Sequence, residues 1–423
     1  MKNFRDLLYR VPNNSIMNTL WYPLGMMMFS ASSIILLIFI TRFFGSVDSG
    51  IFAISWAVCQ QMYSLGLFGT RNYQIADVEN KFSFSQYYSS KFFSAILMLI
   101  GCIIYGLVLK LSWPKLLMSF LLTFLMIGEV FADVFAGHLQ KMDRNAQIGK
   151  SYFFRILLYD VFFIFICFLF NNIYLAILFS TLISFSWIWI VDYYYIVKDE
   201  NSKNKEKVHL TINFKNVLIE CIPILLSAFL TNFIINIPKN AIELYSTNQL
   251  QAVYNILFTP TSIIALVSSI IFMPLYTKIS QDWYKKRYKD FLKKITNVVI
   301  FICLFTIVVL IIAYFLGIPV LSFVYNVELA KYKFQFLLLV LSGGIVSISW
   351  LLVYLLTVFN RQILLAYIYG FVSVVSNLLT NYFVKKAAIE GASFSYFLST
   401  LLINLFLVCC VVHEYKKMKK VKQ

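Results

Sequence analysis

Stretches of about twenty mostly apolar residues recur twelve times along this chain, and that succession limits its fold more than any motif does. In order they are Trp21 to Phe44, Ile51 to Gly69, Phe92 to Ser112, Leu116 to Leu139, Tyr152 to Phe170, Ile173 to Ile196, Val217 to Ile237, Ala252 to Tyr276, Ile295 to Gly317, Phe334 to Phe359, Ile363 to Val384 and Ala392 to Val412. Inside a bilayer every backbone polar group must be satisfied within the segment, so runs of this length read as helices. The expected fold class is all-α, a polytopic membrane protein of about 12 transmembrane helices. Six stretches precede and six follow the most polar one, Lys198 to Asn216, KDENSKNKEKVHLTINFKN. A charged linker between two equal apolar halves predicts two pseudo-symmetric six-helix bundles. The halves are residues 1–197 and 217–413, with the linker at 198–216 and a basic tail at 414–423.

Composition removes the other classes. Charged residues make up 13% and apolar residues 60% of the 423, against about 25% charged in soluble domains. The formal net charge of +17 does not indicate nucleic acid, because the basic residues lie between apolar stretches, where membrane insertion uses them. With the N-terminus placed inside, the outer segments hold only Arg42, Lys110, Lys115, Lys239, Lys331, Lys333, Lys385 and Lys386 of the 36 Lys and Arg. Arg155 falls within a stretch, and the rest, Arg71, Lys81 and Lys91 among them, belong to inner segments. This bias puts both termini in the cytoplasm and requires an even number of crossings. Lys2 to Arg10 reads as a short basic amphipathic segment on the inner surface, with no cleavable signal. The seven cysteines lie in apolar stretches, and neither they nor His138, His209 and His413 show metal-ligand spacing. No metal site, disulfide framework or cofactor is expected.

Ionisable groups inside the stretches are costly and therefore informative. Glu129 and Asp133, four residues apart, share a helix face. Arg155 and Asp160 follow on the next helix. The topology puts Asp133 and Arg155 at similar depth and Glu129 and Asp160 nearer the middle. Two readings stand: a site for a coupling ion, H+ or Na+, or a structural ion pair between neighbouring helices. Asp192 and Glu220 fall near stretch ends and read as interfacial. Gln60 and Gln61, Asn232 and Asn236, and Asn377 and Asn381 are polar stripes that line a cavity or bond helix to helix. Arg42 and Lys239 end the first and seventh stretches at equivalent outer positions of the two halves.

Several motifs occur in a telling order. Thr41-Arg42-Phe-Phe-Gly45 precedes Ser49-Gly50-Ile-Phe. Gly66-Leu-Phe-Gly69-Thr70-Arg71-Asn72-Tyr73-Gln74-Ile-Ala-Asp77 leads to Phe84-Ser-Gln-Tyr87 and Lys91. Ile237-Pro-Lys239-Asn-Ala-Ile is followed by Gln251-Ala-Val-Tyr254 and Pro260, then by Arg361-Gln362, Asn377 and Ile389-Glu-Gly391-Ala392-Ser. Together they resemble bacterial polysaccharide repeat-unit flippases of the Wzx type, in the multidrug/oligosaccharidyl-lipid/polysaccharide (MOP) exporter superfamily. Where such proteins often have an acid before the base ending the seventh helix, this chain has Pro238.

The resemblance implies two six-helix bundles around a central cavity that opens alternately to each side of a bacterial cell membrane. It implies a cargo of polyprenyl-diphosphate-linked oligosaccharide for capsule, O-antigen or similar glycan, with membrane lipid and other polysaccharide-assembly proteins as partners. Basic side chains must then hold the diphosphate, and the candidates are Arg71 and Arg361 at the inner mouth and Arg42 and Lys239 at the outer. An ion-coupled multidrug exporter of the same superfamily is the alternative; its usual carboxylate in the first helix is missing from Trp21 to Phe44. A polysaccharide polymerase or glycosyltransferase needs long or acid-rich outer loops. Here the outer acids Asp48, Glu243, Glu328 and Glu390 are scattered, so no enzyme is expected.

Overall fold

The computed structural model describes residues 15–77, 80–193, 209–359 and 361–422, and these form helices joined by short turns, with no strand among them. The segment Lys2 to Arg10 and linker residues 198–208 lie outside the described residues. The chain divides into two compact units. One comprises Met1–Phe43 with Ile51–Phe229, and the other Phe44–Gly50 with Leu230–Gln423.

The first unit contains α1 (Ser15–Phe43), most of α2 (Ser46–Leu67), the short α3 (Thr70–Ala76), α4 (Phe84–Val108), α5 (Trp113–Lys141), α6 (Asn145–Phe170) and α7 (Ile173–Trp187). A π-helical turn, Ile188–Asp192, extends α7. The second unit contains most of α8 (Lys215–Tyr245), α9 (Asn248–Tyr284), α10 (Tyr288–Ile312) with α11 (Ile318–Tyr325), α12 (Lys333–Val358) and α13 (Ile363–Lys422). Ten helical segments among the described residues are long and apolar enough to cross a membrane. One of them, Ile363–Lys417, holds two crossings, because the backbone of α13 leaves helical geometry at Ala387 and Ala388. A Cβ at Gly391 would overlap the Phe383 carbonyl, so glycine permits the tight return there. With Asn248–Tyr284 as the remaining crossing, the twelve-helix polytopic reading stands, and the chain is a multi-pass membrane protein.

Lipid gives helices no hydrophobic reason to associate, so close packing and internal polar bonds must hold them. Between α1 and α6 the approach is glycine to glycine. A Cβ on Gly149 would overlap the Trp21 carbonyl, and one on Gly25 would press on the backbone of Gly149. In the second unit Trp283, Phe291, Phe359 and Tyr415 form an aromatic knot, with ring centroids 4.7 Å apart for Trp283 and Phe359. The exposed face of α4, with Ile96, Ile100, Ile103, Ile104 and Leu107, is apolar, as a surface solvated by lipid is.

Two boundaries differ from the sequence expectation. The division between units falls inside α8, at Phe229, rather than in the linker. Its cause is the packing of Val217, Leu218, Cys221 and Leu225 on Phe84, Tyr87, Tyr88 and Phe135 of the first unit. The third crossing starts at Phe84 rather than Phe92. Ser83 caps it, its hydroxyl accepting from the Gln86 N–H while the Gln86 side chain accepts from the Ser83 N–H. Lys91 therefore sits two turns inside a membrane helix, not in a loop.

Candidate functional site

The first unit carries two buried charge clusters and one separate carboxylate. Glu129 on α5 receives Arg155 of α6 as a fork: Nη2 donates to Oε2 at 2.6 Å and Nε to Oε1 at 3.0 Å. The third arm, Nη1, donates to Asp192 Oδ2 at 3.0 Å. Arg155 and Glu129 are fully buried. Ser151 donates to the other Asp192 oxygen and accepts from the Trp187 indole at 3.0 Å, while the Tyr152 ring lies 4.8 Å from the guanidinium carbon. One cation thus faces two carboxylates, and neutral donors take up the remaining charge.

Asp192 closes the crossing Ile173–Asp192, at a stretch end as expected, but it is packed inside the unit, with an exposure of 3%. Asp192 ends the π-helical turn and follows buried Ser184 and Ile188 at four-residue spacing, so it shares their inward face. Neighbouring Trp189 and Ile190 remain on the outer face.

Asp133 does not join Arg155. Four residues of helix advance about 400°, which turns Asp133 about 40° from Glu129, toward α4. There Lys91 Nζ, with no exposed surface, approaches to 2.9 Å and also donates to the Leu67 carbonyl at 3.0 Å. The Arg71 guanidinium stands 3.7 Å from the other Asp133 oxygen and donates to the Tyr22 hydroxyl at 3.1 Å and to Gln140 Oε1 at 2.7 Å. Arg71, expected as a base at the inner mouth, is thereby bound into α1 and α5 and largely buried. Arg361 is likewise engaged, Nε donating to Glu414 at 3.0 Å.

Asp160 stands apart from both clusters. Its Oδ1 accepts from Ser32 of α1 at 2.8 Å, its Oδ2 has no hydrogen-bond partner among the described residues, and only 2% of the residue is exposed. A carboxylate this buried, with no cation on it, is the group in the unit best placed to exchange a small cation.

The remaining candidates are dispersed. Arg42 is exposed at the end of α1, beside an apolar groove lined by Ile35, Ile38, Phe39, Ile164 and Phe168. Lys239 Nζ lies 4.8 Å from the centroid of the Phe258 ring. Gln61 is buried and donates to the Phe229 carbonyl at 3.1 Å; Gln60 and Asn232 are partly buried and Asn236 buried. Asn377 is exposed, and Asn381 bonds back to it within the helix, to its carbonyl at 2.7 Å and its side chain at 3.0 Å. The buried face of that helix is instead Ser373, Ser376 and Thr380. Among the described residues no group of His, Cys, Asp and Glu is arranged to hold a metal.

Sequence reasoning missed Lys91, Tyr22, Ser32 and Asp192. The Ser83–Gln86 capping pattern was the available signal for Lys91, since it starts α4 early enough to carry the lysine into the membrane.

No protein-family model matches the sequence, and no curated protein does. The fold does have relatives among solved structures. It is similar to an inward-facing multidrug resistance MATE family transporter of the MOP superfamily, with a TM-score of 0.68 and 9% identity over 92% of this chain and 96% of the other. It is similar to the eukaryotic MATE transporter AtDTX14, with a TM-score of 0.69 and 13% identity over 97% and 98%. A mutant of the Vibrio cholerae MATE transporter VcmN matches at 0.62 and 13%, over 99% and 98%. From end to end, the chain is folded like the MATE transporters of the MOP superfamily.

Proposed function

We propose that this protein is an ion-coupled exporter, working by alternating access, in which Asp160 is the carboxylate that the coupling proton or sodium ion occupies. The observation that carries this reading is the separation of Asp160 from the two charge clusters. Glu129, Asp192 and Asp133 each have a cation at 2.6–3.0 Å, so they are held as structural pairs. Asp160 has only a serine hydroxyl. A group that must gain and lose a cation during a cycle cannot already hold a permanent one. The first helix has no acid, and Ser32 of that helix is the residue that meets Asp160, so α6 supplies the carboxylate that α1 lacks.

For the cargo, the similarity to solved multidrug MATE transporters favours small amphipathic drugs over the flippase reading. The second reading, a polyprenyl-diphosphate-linked oligosaccharide moved to the outer leaflet, is favoured by the order of motifs from Thr41 to Ser393. Asp133 and Glu414 hold Arg71 and Arg361, and the other candidate head-group bases of that reading are Arg42 and Lys239. The test is a gene-deletion strain complemented with wild type or Asp160→Asn. Drug hypersensitivity of the deletion identifies the first cargo, and lipid-linked oligosaccharide accumulating on the inner leaflet identifies the second. In either case wild-type export should follow a proton or sodium gradient, and the Asp160→Asn variant should lose that dependence.

A further inference from the structure

An open groove on the second unit has two lysines at its head. Ile307, Leu310, Ile311, Tyr314 and Phe315 recur at three- and four-residue spacing from α10 into the π-helical turn Ala313–Gly317, and so share one face. Leu337 of α12 forms the opposite wall, and the groove has a volume of about 300 Å³. From Ile307 to Phe315 it runs about 12 Å along the helix. Ile307, Ile311, Tyr314 and Phe315 are each half or more exposed. Apart from the Tyr314 hydroxyl, the lining side chains are hydrocarbon.

The head of the groove is different in kind. Lys333 starts α12 one turn before Leu337, and its ammonium stands 3.6 Å from the centroid of the Tyr314 ring. Lys331 lies in the 3₁₀ turn Ala330–Tyr332, its ammonium 4.9 Å from the centroid of the Tyr332 ring. An aromatic face holds a cation in place without neutralising it. Neither lysine has a carboxylate within ion-pair distance among the described residues, although exposed Glu328 lies in the same loop. A Cβ on Gly317 would overlap the Phe336 ring, so the π turn packs directly on α12 and sets the width of the groove.

A lysine that only anchors a helix end extends freely toward water. These two instead rest on rings, next to a slot that only hydrocarbon fills well. In a bilayer the hydrocarbon at hand is an acyl chain, and uncompensated ammonium groups select the lipid whose head carries net negative charge. We propose that the groove between α10 and α12 binds a glycerophospholipid of net negative charge, with its phosphate on Lys331 and Lys333 and one acyl chain along Ile307, Ile311 and Leu337. With the topology expected from the basic residues, this lipid belongs to the outer leaflet. It is a resident of the protein's surface and not its cargo, and the site is independent of Asp160.

The test is photocrosslinking of the full chain in nanodiscs that contain phosphatidylglycerol and phosphatidylcholine in equal amounts. p-Benzoylphenylalanine takes the place of Phe315 in the groove and, for comparison, of Leu182, exposed on α7, a helix with no Lys or Arg. The reagent joins to acyl chains, so the mass of each adduct identifies its head group. At position 315, phosphatidylglycerol adducts should exceed phosphatidylcholine adducts about fivefold or more, and at position 182 the two should be nearly equal. Lys333→Gln should remove most of the preference, Lys331→Gln less, and the two together all of it. Lys333→Arg should retain it, and high salt should weaken it. Lys331 is exposed, so its variant reads the head-group contact with the fold intact.

Equal adducts of the two lipids at position 315, the same preference at positions 315 and 182, or a preference that survives in the double variant overturns the site. Crosslinking of position 315 to a second copy of the chain in place of lipid also overturns it, since the groove would then be a contact between subunits. No gradient or cargo enters the measurement. Its failure leaves the exporter reading standing, and failure of that reading leaves the lipid site standing.

Discussion

Arg155 and Glu129 form a two-pronged ion pair with no exposed surface, at 2.6 Å and 3.0 Å, and Asp192 takes the third arm of the same guanidinium. A buried pair of this kind contributes little net stability compared with apolar packing, but breaking it strands a charge. Arg155→Met leaves two carboxylates facing each other and should cost about 3–5 kcal/mol. Arg155→Lys keeps the charge, loses the fork, and should fall between. Thermal unfolding of the purified variants checks the order. An Arg155→Met protein as stable as wild type would show that the cluster is hydrated and not structural.

The close approach of α1 and α6 gives a second stability prediction. Gly149→Val adds a branched side chain where even a Cβ overlaps the Trp21 carbonyl, so the helices must part. The cost should be about 1–3 kcal/mol or more, as for other overpacked sites. The measurement is melting temperature together with the yield of folded protein, with Gly45, which has nothing near its Cβ position, as the comparison site. Gly45 has a backbone φ of +91°, so Gly45→Asn, which tolerates that geometry, is the suitable substitution.

Outside the membrane, Asp77 organises the turn between α3 and α4. Burial opposes its ionisation. The Lys81 and Phe82 N–H groups at 2.8 and 3.1 Å, the Tyr87 hydroxyl at 3.0 Å and the charge of Lys141 outweigh that effect and hold its carboxyl below the ordinary 3.8. A carboxyl lowered in the folded state stabilises fully above its unfolded value, near 4, and loses that contribution as pH falls through the folded value. Asp77→Asn should therefore cost about 1–3 kcal/mol at pH 7. The difference from wild type should shrink as pH drops below about 4. Melting curves of both proteins between pH 7 and pH 3 test this, and a difference that grows on acidification would contradict it.

Orientation is predicted from the basic residues. Cysteines placed at Lys203 and Lys420 should react with an impermeant thiol reagent only from the cytoplasm, and one at Lys333 only from outside. Labelling of position 203 on intact cells would reverse the topology.

The crossings were legible because length and apolarity decide them, and because a bilayer admits few alternatives. The presence of a buried charge system was legible too, since Glu129, Asp133, Arg155 and Asp160 are rare residues in such surroundings. Their partners were not. Spacing alone puts Glu129 and Asp133 on one face, yet a rotation of about 40° sends them to different helices. Asp192 lies at a stretch end, where a carboxylate usually meets water, although its four-residue spacing from Ser184 and Ile188 puts it on their inward face. Lys91 was hidden by a boundary eight residues out of place.

The central claim is that Asp160, with Ser32 as its only hydrogen-bond partner among the described residues, carries the coupling ion. The direct measurement is cargo flux in proteoliposomes, with imposed proton and sodium gradients, for wild type, Asp160→Asn and Glu129→Gln. Cargo is whichever class the deletion strain identifies. Wild-type flux should rise steeply with one of the two gradients. Asp160→Asn should melt within a few degrees of wild type and show flux that no longer responds to either gradient. Glu129→Gln should instead lose stability, with coupling retained in the protein that folds. Gradient-dependent flux at the wild-type level from Asp160→Asn would contradict the account.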